Sequence, residues 1–134
     1  ARTLPHGFIP LHSDTPRFFR GTLRLSIQVV AEGIQRLYCN GLWYDMAVGE
    51  VWALDNLKPH AIRNSGASPR INVLVDYLPS NELVEWVSRG DDGLGVNDEA
   101  ATSEIHAMSR ERYRKNRWKS LRYELFKLVW RRRA

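Results

Sequence analysis

The sequence predicts a mainly β domain followed by a C-terminal helical segment, and three observations carry that reading. Short runs rich in Val, Ile, Leu and aromatic residues succeed one another from Arg2 to Tyr77. Gly, Asn, Ser and Pro separate them at close, regular spacing. After Pro79-Ser80 the apolar period lengthens from two residues to three or four, as a helix requires.

Taken in order, Phe8-Ile9-Pro10-Leu11 is the first apolar run, and Leu23 to Val29 alternates apolar and polar residues. Ile34 to Cys39 follows the Glu32-Gly33 turn, and Leu42 to Met46 follows Asn40-Gly41. Val51 to Leu54 follows Gly49-Glu50, and the runs His60–Arg63 and Ile71–Val75 flank the loop Asn64–Pro69. Many short strands suggest an antiparallel sandwich or barrel, of which the double-stranded jelly roll is one solution, and periodicity does not choose among them. Ser80 is placed to cap a helix over Asn81–Arg89, amphipathic through Leu83, Val84, Trp86 and Val87. Gly90 to Asn97 reads as a loop. A long helix is expected from Thr102 or Ser103 to near the end, with apolar Ile105, Met108, Trp118, Leu121, Leu125, Leu128 and Val129. The expected division is a β domain over residues 1–79 and a basic helical segment over 80–134.

A chain of 134 residues suffices for one core, and 43% apolar with 26% charged residues excludes a disordered chain. The single cysteine, Cys39, excludes an intramolecular disulfide framework, so a cytoplasmic location is expected. No apolar run approaches the roughly 20 residues of a membrane helix, and no signal peptide is read before the first strand. Because it begins at Ala1 and enters strand-like sequence at once, the chain is expected to be a fragment of a longer protein. The net charge of +5 is unevenly spread: residues 1–102 sum to −3 and residues 103–134 to +8.

His12-Ser13-Asp14, followed after 45 residues by His60, supplies two imidazoles and a carboxylate. Such a set can hold a non-haem iron(II) ion on one triangular face and leave adjacent coordination positions open. Residues i and i+2 at a strand end project to one side, and a later strand would supply His60 from across the barrel. Arg70 lies ten residues after His60, beyond a turn with Gly66 and Pro69. If both lie on adjacent antiparallel strands they face one interior, where a guanidinium can fork onto a co-substrate carboxylate. Each residue alone fits a blander role, a surface turn or a satisfied strand histidine, and the set of four is what points to chemistry. His6 and His106 have only the bland role.

The stretches Phe8–Asp14, Gly49–Asn56, Pro59–Asn64 and Pro69–Tyr77 together resemble the aspartyl/asparaginyl β-hydroxylase family, which takes in relatives similar to the proline cis-hydroxylases. The resemblance covers residues 1–79. It implies a double-stranded β-helix, the cupin-like jelly roll, using iron(II), 2-oxoglutarate and dioxygen. Such an enzyme hydroxylates an unactivated C–H bond of an amino acid, peptidyl residue or related substrate and releases succinate and carbon dioxide. By position, His12, Asp14 and His60 match the metal ligands and Arg70 the co-substrate arginine. Arg24 matches a strand arginine facing substrate or co-substrate, and Ser26 stands where a polar side chain helps hold 2-oxoglutarate. Family members carry a substantial segment before the first metal histidine, where this chain has eleven residues.

The closing helix has two uses: packing on the barrel or a second subunit, and lying on a membrane surface through its tryptophans, leucines and basic residues. No nucleic-acid partner is expected. Against the oxygenase stands one competing whole-protein function, a non-catalytic jelly-roll binding module whose basic helix engages a membrane or partner.

Overall fold

The computed structural model describes residues 1–14, 21–33 and 35–131, with side chains described through residue 119. Ile34, expected to open a strand, and the side chains of Leu121, Leu125, Leu128 and Val129 lie outside the described residues.

Eight strands come first in the chain: β1 (Arg2–Thr3), β2 (Phe8–His12), β3 (Leu23–Val30), β4 (Gln35–Cys39), β5 (Leu42–Met46), β6 (Val51–Leu54), β7 (His60–Arg63) and β8 (Arg70–Tyr77). Two helices follow, α1 (Asn81–Ser88) and α2 (Glu99–Arg131). The strands form two four-stranded sheets, ordered β1-β8-β3-β6 and β2-β7-β4-β5. Pairing is antiparallel throughout: β1 with β8, β2 with β7, β3 with β6 and β4 with β5, joined by β3–β8 and β4–β7. This is one long hairpin, outgoing strands matched to returning ones in reverse order, rolled into two facing sheets. The fold is the expected double-stranded β-helix with a C-terminal helical segment.

Local chemistry sets the helix starts. Ser80 caps α1, its hydroxyl accepting from the Leu83 amide at 3.2 Å. α2 begins at Glu99, three residues before the earliest start read from periodicity, because the Asp98 carboxylate accepts from the Ala101 amide at 2.9 Å. β8 likewise begins one residue early, so Arg70 is itself its first strand residue.

α2 covers the outer face of the second sheet. Ile105, 1% exposed, packs on Tyr38, Trp43 and Ala61, with Phe8, Leu11 and Ala101 around them. Burying a side chain of that size contributes about 1.5–3 kcal/mol. Polar ties fix the helix in place: Trp43 Nε1 donates to Thr102 Oγ1 at 3.0 Å, and the Leu11 amide donates to Ser109 Oγ at 2.9 Å. The Tyr113 hydroxyl donates to the Leu11 carbonyl at 2.8 Å. Register then divides the two faces. Tyr38, Ala61 and Trp43 are paired and point to α2, so the neighbouring set Leu37, Ile62 and Ile9 points into the barrel.

One irregularity decides the site. Between Ile9, opposite Ile62, and His12, opposite His60, β2 takes three steps where β7 takes two. In a regular ladder Leu11 would face inward and His12 outward. The bulge reverses this, sending Leu11 to the α2 cluster and His12 into the barrel.

Candidate metal centre

His12 and His60 are direct cross-strand partners, with ring centroids 4.2 Å apart. His60 therefore comes from the neighbouring strand of the same sheet, not from across the barrel as spacing suggested. Each ring is oriented in the same way. His12 Nδ1 lies 2.8 Å from the Pro10 carbonyl and His60 Nδ1 lies 2.9 Å from the Lys58 carbonyl. A carbonyl only accepts, so Nδ1 carries the proton and Nε2 is left with its lone pair free. Asp14 Oδ1 lies 3.7 Å from His12 Nε2, and one ligand atom from each of His12, Asp14 and His60 falls within 4.8 Å of the others. Two neutral imidazoles and a carboxylate at that separation could hold one first-row divalent metal.

The carboxylate is placed by its other oxygen. Asp14 Oδ2 accepts from Arg24 Nη1 and, at 3.1 Å, from Asn56 Nδ2. The Asp14 amide donates to the Asn56 carbonyl at 2.9 Å. Arg24 is gripped in turn by Asp76, through Nε at 2.8 Å and Nη2 at 3.1 Å. Burial alone would raise the Asp14 pKa, but the hydrogen bonds from Asn56 and Arg24 and the charge of Arg24 hold it below the ordinary carboxylate value. Burial pushes the His60 pKa below 6.5 against the Lys58 carbonyl, which favours the neutral ring a metal needs. Asn56 and Asp76 were not singled out by sequence; an Asn at a loop start and an Asp in a strand carry no signal until Asp14 and Arg24 lie beside them.

Arg70 lies in the facing sheet. The expectation that it sits on the strand next to His60 is corrected: β7 and β8 belong to different sheets, and the loop between them crosses the barrel edge. Asn64 pins that crossing, donating to the carbonyls of Leu4 at 3.0 Å and Ser68 at 2.9 Å. Arg70 still faces inward and is 1% exposed. Its Nε donates to Gln28 Oε1 at 2.9 Å, and its Nη2 lies 3.4 Å from Met46 Sδ. Its Nη1 is buried with no partner among the described residues, and burial lowers its pKa to about 10 with no carboxylate to offset it. A buried guanidinium without a counter-anion is costly, and it is the state expected of a site built to receive a carboxylate. Ser26 lies between Arg24 and Gln28 on the same face of β3 and accepts from Asn72 Nδ2 at 3.1 Å, which leaves its hydroxyl hydrogen free to donate.

Fold and site together define a jelly-roll protein with a candidate mononuclear metal centre and a buried arginine, Arg70, inside the barrel. The family model for aspartyl/asparaginyl beta-hydroxylase matches residues 1–79, more than half of the chain, and the chain belongs to that family. Among solved structures it is similar to the protein TT1209 from Thermus thermophilus, with 21% identity, TM-score 0.44, and 57% of this chain and 67% of that one covered. It is similar to a predicted oxalate decarboxylase from Thermotoga maritima at 20% identity, TM-score 0.46, covering 58% and 62%. A Cupin 2 conserved barrel domain protein from Salinispora arenicola gives 13% identity, TM-score 0.42, covering 66% and 67%. The chain thus spans about two thirds, or slightly less, of the length of these structures. Curated proteins gave no match. The jelly-roll assignment rests on the strand order itself.

Proposed function

We propose that the chain is an iron(II)- and 2-oxoglutarate-dependent dioxygenase that hydroxylates a C–H bond of an amino acid, a peptidyl residue or a related substrate. The observation that carries this reading is the orphaned Nη1 of Arg70, in the same barrel as the histidine–aspartate–histidine triangle. When bound, iron and 2-oxoglutarate supply the oxidation: one oxygen atom of dioxygen enters succinate as carbon dioxide leaves, and the other enters the C–H bond.

The chain's residues have separate tasks in this reading. His12, Asp14 and His60 would hold the iron, offering it Nε2, Oδ1 and Nε2. Arg70 neutralises the distal carboxylate of 2-oxoglutarate, and Ser26 donates to it. Arg24, beside Asp14, and Gln28, beside Arg70, lie four steps apart along β3, about 13 Å at the usual strand rise, so the two groups stand toward opposite ends of the barrel. Arg24 acts on Asp14, orienting it, rather than as a free contact for substrate.

Anaerobic addition of iron(II) and 2-oxoglutarate is expected to produce a weak visible charge-transfer band, absent in His60→Ala, and aerobic incubation with substrate to release succinate. No band, with iron affinity unchanged in His60→Ala, would leave the non-catalytic binding module as the answer.

A second reading concerns α2. Its residues 111–119 are exposed and include Arg112, Arg114, Lys115, Arg117 and Lys119. No helix of the described residues is long and apolar enough to cross a membrane. We propose that this stretch docks on a second subunit or on an anionic membrane surface. Sedimentation velocity tests the first and co-sedimentation with phosphatidylserine vesicles the second.

A further inference from the structure

The assignment of Arg70 to 2-oxoglutarate occupies one end of the barrel and leaves the other end open. Register fixes which end this is. Arg70 lies beside Gln28 near the close of β3, whereas Arg24, near its start, is opposite Leu54 and Asp76 and beside Asp14. At that second end a cavity of about 360 Å³ lies between the β4–β5 hairpin, the end of β6 and the loop 91–94. Its volume is that of a small-ligand site.

Its walls adjoin the metal centre residue by residue. Cys39 is the cross-strand partner of His60, and Leu54 that of Arg24. Asp55 precedes Asn56, which holds Asp14, and Lys58 supplies the carbonyl that orients His60. Tyr44 and Trp52 also line it, ring centroids 5.9 Å apart and edge to face, with Trp52 Nε1 fixed by Glu50 Oε2 at 2.9 Å. The loop comes this close because Gly95 lacks a side chain; a Cβ there would lie 2.8 Å from the Tyr44 ring. The charged residues of the lining are Asp55, Asp91 and Asp92 against Lys58 alone.

We infer that this cavity is the substrate pocket and that it receives the part of the substrate bearing a cationic amine or guanidinium group. The inference rests on the oxygenase reading. Aromatic faces attract a cation through their quadrupole, and the carboxylate excess adds to it in a partly closed site. An acidic substrate would meet the same carboxylates at close range and be disfavoured. The cationic group can belong to a free amino acid or to a basic side chain within a peptide, and blocked and unblocked probes separate the two.

The test is calorimetric titration of the metal-free protein at low salt with Nα-acetylarginine amide, its neutral ureido counterpart Nα-acetylcitrulline amide, and free arginine. The blocked arginine probe, free arginine or both are expected to bind at least tenfold more tightly than the ureido compound. Added salt should shrink the gap, and the exposed double substitution Asp91→Asn with Asp92→Asn should abolish it. Whichever of blocked or free arginine binds better identifies a peptidyl or free source. Equal binding of the arginine and ureido probes, or an undiminished preference in the double variant, overturns the pocket assignment. A charge-transfer band without that preference overturns the pocket alone. A preference without the band overturns the oxygenase reading and leaves a cation-binding pocket.

Discussion

Arg70 is a charge placed where folding alone would not favour one. It is 1% exposed, its Nη1 meets no acceptor among the described residues, and Gln28 and Met46 are neutral partners. Arg70→Met keeps most of the volume and removes the uncompensated cation. Urea unfolding of the metal-free variant should therefore show stability within about 1 kcal/mol of the wild type, or higher, since the lost Gln28 bond is worth only about that much. The rise in Tm produced by 2-oxoglutarate should vanish in the same variant. A loss of several kcal/mol would instead make Arg70 structural. At Asp14, the two-layer grip of Arg24, Asp76 and Asn56 predicts that Asp76→Asn or Asn56→Ala lowers iron affinity by roughly 10–100-fold, with Asp76→Glu recovering part of it. The pH response follows from His60. Its pKa is lowered on folding from 6.5 by burial, so below about pH 6.5 the unfolded chain binds the proton that the folded ring resists. The His60 contribution to the stability of the metal-free protein is thus full above that pH and falls as the solution is acidified through it. Denaturant midpoints measured from pH 7.5 to 5.5 should drop, and drop less in His60→Asn.

At the scale of elements, β2 and α2 are one device. The bulge between Ile9 and His12 lets Leu11 pack outward on α2 while His12 turns inward. The helix holds that arrangement through Ser109 and Tyr113, both bonded to the Leu11 backbone. Ile105→Ala removes the centre of the contact and is expected to cost about 2–5 kcal/mol in chemical unfolding. Because the contact supports the bulge, iron affinity should fall with it. Unchanged iron affinity in a destabilised Ile105→Ala protein would show that β2 keeps its bulge unaided. The element boundaries show where sequence reading stops. β5, β6 and β7 are observed at the residues the short runs marked, because turn residues bracket them closely. β1 spans two residues, too few to carry a period, and exists only because β8 offers it an edge. The early start of α2 depends on Asp98, whose capping role competes in sequence with its reading as one more loop acid.

For the whole molecule, the barrel is unequal in its lining. The sheet of β3 and β8 contributes Arg24, Ser26, Gln28, Arg70 and Asn72, while the other sheet contributes apolar Leu37, Ile62 and Met46 beside Gln35, His12 and His60. A domain stabilised only by its core would not bury that polar row, and each buried polar group there needs a partner or a ligand. The sequence by itself determined the succession of short strands and the change to helix after Pro79-Ser80, and it marked His12, Asp14, His60 and Arg70 as candidates, because these are properties of residue type and spacing along the chain. Only the tertiary structure decided that His60 stands beside His12 while Arg70 stands in the opposite sheet. It alone decided that a bulge turns His12 inward, that Asn56 and Asp76 place the carboxylate, and that the pocket lies at the end away from Arg70. Those facts depend on which strand pairs with which and in what register. Pairing is settled by contacts between residues distant in the chain, which no local period records.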